Sequence, residues 1–175
     1  MDKIMNRKRL IYNINEDIYF YVYNILFILN TLECYSSQDS FKDYRKLVFL
    51  IDFISNDRDC DTFIRYYRGK FKANDAIRRN LRDKYYKGIE KIKILRYVLL
   101  IMEKHNYIRL ENDEKRVNII LIKENRKEGF FENKRFKEVV ETIKKIPSPK
   151  TLRKVSYKTF IENIFKINGV DVWED

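Results

Sequence analysis

The chain has 175 residues, 45% of them hydrophobic and 15% aromatic, enough to bury a core and to exclude global disorder. Four Gly and two Pro leave little material for Gly-rich phosphate loops or a many-stranded β fold, so a mainly helical domain is expected. Of the formal net charge of +11, residues 65–96 carry +9, with 12 Lys/Arg against Asp75, Asp83 and Glu90. Such a patch attracts polyanions, and a solvated helix face is the plain alternative.

The basic start "MDKIMNRKRLIYN" is followed by no uninterrupted apolar stretch of signal-peptide length. The apolar run Ile18 to Leu32 is broken by Asn24, Asn30 and Thr31 and is too short to span a bilayer, so a cytoplasmic protein is expected. Asn13 with Glu16 has the spacing of a capping box and opens a helix to about Glu33, with Ile18, Val22, Ile25, Leu29 and Leu32 on its apolar stripe. "CYSSQDS" is a loop, and Ser40 with Asp43 resembles the next cap. The second helix, "FKDYRKLVFLIDFIS", is apolar nearly all round in its last two turns and should be the most buried.

Asp57, Asp59 and Asp61 imitate the opening of an EF-hand loop, but Thr62 stands where Gly is needed and Arg68 where a bidentate Glu is needed. N-capping by Asp59 or Asp61 explains them better, with a short helix from Thr62 through Phe63, Tyr66 and Tyr67 to a break at Gly69. Asn74 or Asp75 caps the next helix, which carries Ile77 and Leu81, and Gly88 marks a kink or a fresh start. Ile92, Leu95, Val98, Leu99 and Met102 then define an amphipathic helix that ends at His105 and Asn106. "YIRL" and "VNIILIK" are short β-branched runs around the charged turn "ENDEKR".

Helix, cap, strand, charged turn, strand is the order of a winged-helix unit. The expected class is therefore mainly α with a small β wing (α+β), a winged-helix-like domain over residues 1–125 with additional N- and C-terminal helices. Residues 126–175 form a helical extension packed on it. That extension has a helix from about Asn133 to Ile146 with Phe136, Val139, Val140 and Ile143 as its stripe, a break at "PSPK", and a last helix capped by Ser156 and stopped by Asn168-Gly169. Trp173 reads as a docking anchor or as a cover for the core.

No cofactor, metal or catalytic site is expected. His105, the single histidine, sits at a helix end where capping is the usual role, and Cys34 and Cys60 lack CxxC spacing and read as ordinary buried thiols. The triplet Glu132-Asn133-Lys134, with Asp113 upstream, would suit a metal-dependent nuclease, but a chain with 36% charged residues yields such triplets by chance. What remains is binding. Candidate phosphate contacts are Arg78, Arg79, Arg82, Lys84, Lys87, Lys91, Lys93 and Arg96, with Lys115 and Arg116 on the wing and Tyr66, Tyr67, Tyr85 and Tyr86 interleaved. Asn, Gln and Ser are scarce on the early turns of that helix, which favours double-stranded DNA held by its phosphates over base reading. A winged-helix transcription regulator is the alternative.

The aromatic N-terminal helix, then "DYRKLVFLIDFIS", the basic helix and the wing "EKHNYIRLENDEKRVNIILIKE" resemble the middle-component subunits of bacterial ABC three-component systems, among them the Lamassu type of anti-phage defence. The resemblance covers roughly residues 13–125 and is one of layout and helix-two texture. It implies a non-enzymatic accessory subunit that sits with an SMC-like ABC ATPase and couples DNA sensing to a separate effector, commonly a nuclease. ATP binding and catalysis would then belong to the partners, and no catalytic residue is carried over.

Overall fold

A computed structural model describes residues 18–124, 129–132 and 137–173. The proposed cap Asn13/Glu16, the positions Asn133, Lys134 and Phe136, and the boundary at residues 125–126 lie outside the described residues. The chain is mainly α with a small β wing, as its composition and patterning predict.

The first helix, α1, covers residues 18–31 and buries Tyr21, Ile25, Leu26, Ile28 and Leu29. It ends where Glu33 turns left-handed (φ 57°), so that Glu33 N–H reaches the Asn30 carbonyl (3.0 Å) and Cys34 N–H the Leu29 carbonyl (2.9 Å). This paired pattern closes a helix by satisfying its last carbonyls. The Arg153 guanidinium then donates to the carbonyls of Leu32 (2.6 Å) and Glu33 (3.1 Å) and pairs with Asp39. A cation thus sits at the negative end of α1.

The second helix is shorter than its apolar pattern suggests. α2 spans Lys46–Ile54, while Phe41 forms an antiparallel bridge with Ile119 and Tyr44 N–H bonds the Val117 carbonyl (3.0 Å). Asp43 is left-handed (φ 60°) with its N–H on Asn118 Oδ1, and Ser40 bonds Ser37 instead of capping a helix. Pairing with the hairpin has claimed this backbone, and a backbone N–H used by a sheet edge cannot also serve a helix. Within α2 every residue but Asp52 is buried.

α3 covers Asp57–Tyr66 and is capped by Asn56, whose side chain accepts from Asp59 N–H, so the cap lies earlier than Asp59 or Asp61. A 3-10 turn, Tyr67–Gly69, follows. α4 then runs unbroken from Asp75 to Lys104, 30 residues and about 45 Å, with Asn74 as its cap through a 2.9 Å bond to Ile77 N–H. Gly88 neither kinks nor restarts it. A Cβ at Gly88 would lie 2.3 Å from Phe49 Cε1, so the missing side chain is the seat for an α2 ring. Asn106 (φ 55°) closes α4 in the way Glu33 closes α1.

The hairpin consists of β1 (Ile108–Asp113) and β2 (Arg116–Leu121), antiparallel with Leu110 opposite Ile119, and turns at Glu114. Its outer β2 edge is covered by residues 34–44, through Leu121 N–H to the Cys34 carbonyl (2.7 Å) and the Phe41 bridge. The C-terminal segment supplies α5 (Lys137–Lys145), α6 (Pro149–Lys154) and α7 (Tyr157–Ile164), then a 3-10 turn closed by Gly169 (φ 78°). α6 is not foreseen by the sequence reading, because "PSPK" reads as a break; Pro149 in fact starts a helix, as proline does in a first turn where its lost N–H is not missed.

These last helices share the core of the preceding ones. Phe49 and Phe53 of α2, Phe63 of α3, Tyr85 of α4 and Phe160 and Phe165 interlock, with Phe49 to Phe165 at 5.2 Å, Phe53 to Phe63 at 5.1 Å and Tyr85 to Phe165 at 5.2 Å. At the other end of α2 the fully buried Lys46 donates to the carbonyls of Leu152 (2.7 Å) and Val155, and lies 4.5 Å from the Phe41 ring centre. Burial brings its ammonium down to about 7 from an ordinary 10.5, against the opposing pull of Asp43. A neutral amine keeps two N–H donors, enough for both carbonyls.

Two predictions follow from this packing. Gly88→Ala improves helix propensity by about 1 kcal/mol but drives a methyl into Phe49, and a net loss of roughly 1–3 kcal/mol is expected in urea unfolding. A stabilised variant would mean that the ring moves aside freely. For Lys46 the folded pKa lies below the unfolded one, so the unfolded state binds the extra proton and its stability contribution falls as pH drops from 10.5 to 7. Stability measured relative to Lys46→Met should therefore rise with pH across that window, by at most about 1.4 kcal/mol per pH unit; a flat difference would contradict the burial effect.

Candidate nucleic-acid interface

α4 positions nearly all of the predicted cations, and its packing sorts them. Leu81, Tyr85, Gly88, Leu95, Val98, Leu99 and Met102 form its buried side. At about 100° per residue, the opposite side is a line through Arg79, Arg82, Tyr86, Lys93, Tyr97, Leu100 and Lys104. All seven are exposed. The exposed Glu90 lies on this same side, three residues before Lys93, yet Arg82, Lys93 and Lys104 make no ion pair among the described residues.

The other predicted positions divide differently. Lys84 is a correction: it is buried, 2.7 Å from Asp52 and 3.0 Å from Asp59, with its ammonium 5.3 Å from the Phe53 ring centre. It ties α4 to α2 and α3 and leaves the surface set. Arg78 is half-buried against Gly169 and pairs with Asp75 (3.3 Å). Lys87 and Lys91 are exposed, but they project roughly 140–180° around the helix from Arg96. One flat ligand cannot reach all of these.

Arg96 belongs with the wing. It lines a crevice of about 230 Å³ with Leu99, Leu100 and Glu103 of α4, Leu110, Asn112 and Val117 of the hairpin, and Tyr44 of the segment along its edge. Glu103 fixes the wall of this crevice by accepting the Leu110 N–H (2.8 Å). Lys115 and Arg116 are exposed at the hairpin turn. Arg79 lies about 25 Å along the axis from Arg96, so the arginines at the start of α4 and the wing are separate ends of one surface.

The tyrosines also separate. Tyr67 and Tyr85 are in the core, Tyr66 is half-buried, and Tyr86 faces solvent. Sequence reasoning missed Tyr97 (58% exposed) and Leu100 (51%), which the helical wheel places opposite the Leu95/Val98/Leu99/Met102 stripe, and Phe71 (60%), set between Lys70 and Lys72. Trp173 stays exposed while its ring meets Tyr86 (5.8 Å) and its backbone N–H donates to Tyr85 Oη (3.0 Å).

Burial pushes the Cys34 thiol up to about 12 and the Cys60 thiol to about 11, so neither is a thiolate near neutral pH. Among the described residues no group of three His, Cys, Asp or Glu is arranged to hold a metal ion, and no helix is long and apolar enough to cross a membrane. His105 is the exposed C-cap residue of α4. Compared with known proteins, the chain matches no family model, no curated protein and no solved structure.

Lys84→Met separates the structural cation from the surface ones. It leaves Asp52 and Asp59 together without their shared partner, and a stability loss on the order of 2 kcal/mol is expected, given their partial exposure. Polyanion affinity should stay unchanged in a titration of the folded variant. Normal stability with weakened polyanion binding would return Lys84 to the interface.

Proposed function

We propose that this chain is a non-catalytic accessory subunit of an SMC-like ABC ATPase complex in anti-phage defence, bridging the ATPase and an effector and meeting the DNA backbone through α4. The observation that carries the reading is the solvent face of α4, where cations without an ion pair among the described residues are interspersed with exposed tyrosines, a leucine and the single carboxylate of Glu90. Surfaces that combine Tyr, Arg and exposed apolar groups favour contact with another macromolecule over solvation alone. The resemblance to the middle-component subunits supplies the class of partner, with ATP hydrolysis and effector chemistry assigned to the other subunits. The scarcity of base-edge readers on α4 argues against the alternative of a sequence-selective regulator.

The test is co-expression with the products of neighbouring genes. A stable complex with an SMC-like ATPase is expected, and its DNA affinity should fall by tenfold or more when Arg79, Arg82 and Lys93 are reversed to Glu, with a shallower salt dependence. A chain that co-purifies with none of these products as a well-behaved monomer would sink the accessory reading. Protection of one preferred sequence in a footprint would favour the regulator.

A further inference from the structure

Along α4 a cation is followed four residues later by an exposed tyrosine, twice: Arg82 then Tyr86, and Lys93 then Tyr97. The two pairs are eleven residues apart, three turns of helix, so they repeat along nearly the same line about 16.5 Å further on, with the exposed Glu90 between them. On a helix, side chains four apart share a face, so each ring and its cation point to the same side of α4. Tyr86 is braced by Tyr85 and Trp173 (5.6 and 5.8 Å), while Tyr97 stands 58% exposed with no aromatic neighbour among the described residues. Phe71, flanked by Lys70 and Lys72, adds another exposed ring in the segment leading into α4.

A duplex accounts for the cations but not for the rings. Its bases are already stacked on one another, and its outer surface offers phosphate and sugar, to which a tyrosine face contributes little. Unpaired bases account for both, because phosphates follow the cations while each base finds an aromatic platform. The shortage of base-edge hydrogen-bonding groups fits as well, since stacking tolerates any sequence. We infer that the Arg82/Tyr86 and Lys93/Tyr97 pairs of α4 bind single-stranded nucleic acid, each pair taking one phosphate and one unpaired base. This assignment rests on the reading of α4 as a nucleic-acid face.

The experiment is an anisotropy titration of the full chain with labelled oligo-thymidylate, the same backbone carrying abasic sites, and a duplex of equal length. Oligo-thymidylate should bind tightest, the abasic strand at least about tenfold more weakly. Tyr86→Ala with Tyr97→Ala should lose a similar factor on oligo-thymidylate and little on the duplex, and Tyr86→Phe with Tyr97→Phe should restore it. Both tyrosines are exposed, so an unchanged unfolding transition verifies that the variants fold. Equal affinity for the abasic strand, a preference for the duplex, or indifference to loss of the tyrosines would overturn the single-strand assignment while leaving α4 as a DNA-backbone face. Absence of binding to any of the three, by the chain and by its complex, would overturn both.

Discussion

The contact between Phe49 and the bare backbone at Gly88 sets the relation between α2 and α4, and the surface of the protein follows from it. With a Cβ position only 2.3 Å from the ring, α4 cannot rotate about its axis without pushing a larger neighbour into Phe49. Tyr85 and Phe165 close around the same ring, at 6.1 and 5.2 Å. Close-packed interiors resist such displacement, since even one misplaced methylene is felt. Once α2 fixes which side of α4 is dry, the residues on the opposite side are exposed by default: Arg82, Tyr86, Lys93 and Tyr97.

Charge is distributed by the same packing. The basic segment reads as one patch, yet Lys84 turns inward to Asp52 and Asp59, and elsewhere Lys46 and Arg153 are spent on buried carbonyls at the ends of α6 and α1. Each of these satisfies groups that would otherwise be desolvated without a partner, a costly arrangement inside a protein. Lys46 and Arg153 act as stitches between segments more than 100 residues apart in sequence. A net charge therefore says how many cations the chain has, and only the packing says how many are left to meet a ligand.

Much of the fold was legible in the sequence because the relevant forces are local. The apolar run of α2, a cap for α4 at Asn74 or Asp75, which the structure places at Asn74, the left-handed exit at Asn106 and the paired β-branched runs of the hairpin each follow from residue spacing and backbone preference. The misreadings share a non-local cause. Phe41 to Arg45 carry a helical pattern but lose it to pairing with β2; Gly88 suggests a break until Phe49 is seen beside it; "PSPK" conceals α6 because Pro ends and begins helices alike. For the candidate interface, the sequence pointed to the cations of this segment but treated the buried Lys84 as equivalent to the exposed Arg82. A wheel drawn over one continuous helix would have shown the difference and brought Tyr97 and Leu100 into view, whereas the assumed restart at Gly88 cut the wheel in two.

The continuity of α4 has a further consequence for recognition. Its first half is held by the aromatic cluster and by Lys84, and its second half by the hairpin, through Glu103 on Leu110 N–H. A ligand lying along Arg82 to Tyr97 thus meets a backbone already ordered over the whole distance. The entropy lost on binding is confined to a few side chains: the lysines and arginines lose rotamer freedom, while the tyrosines, with two torsions each, lose little. Rigidity in the core and exposure on the far side are two results of one packing arrangement, and together they would give a partner bound along α4 a pre-ordered surface.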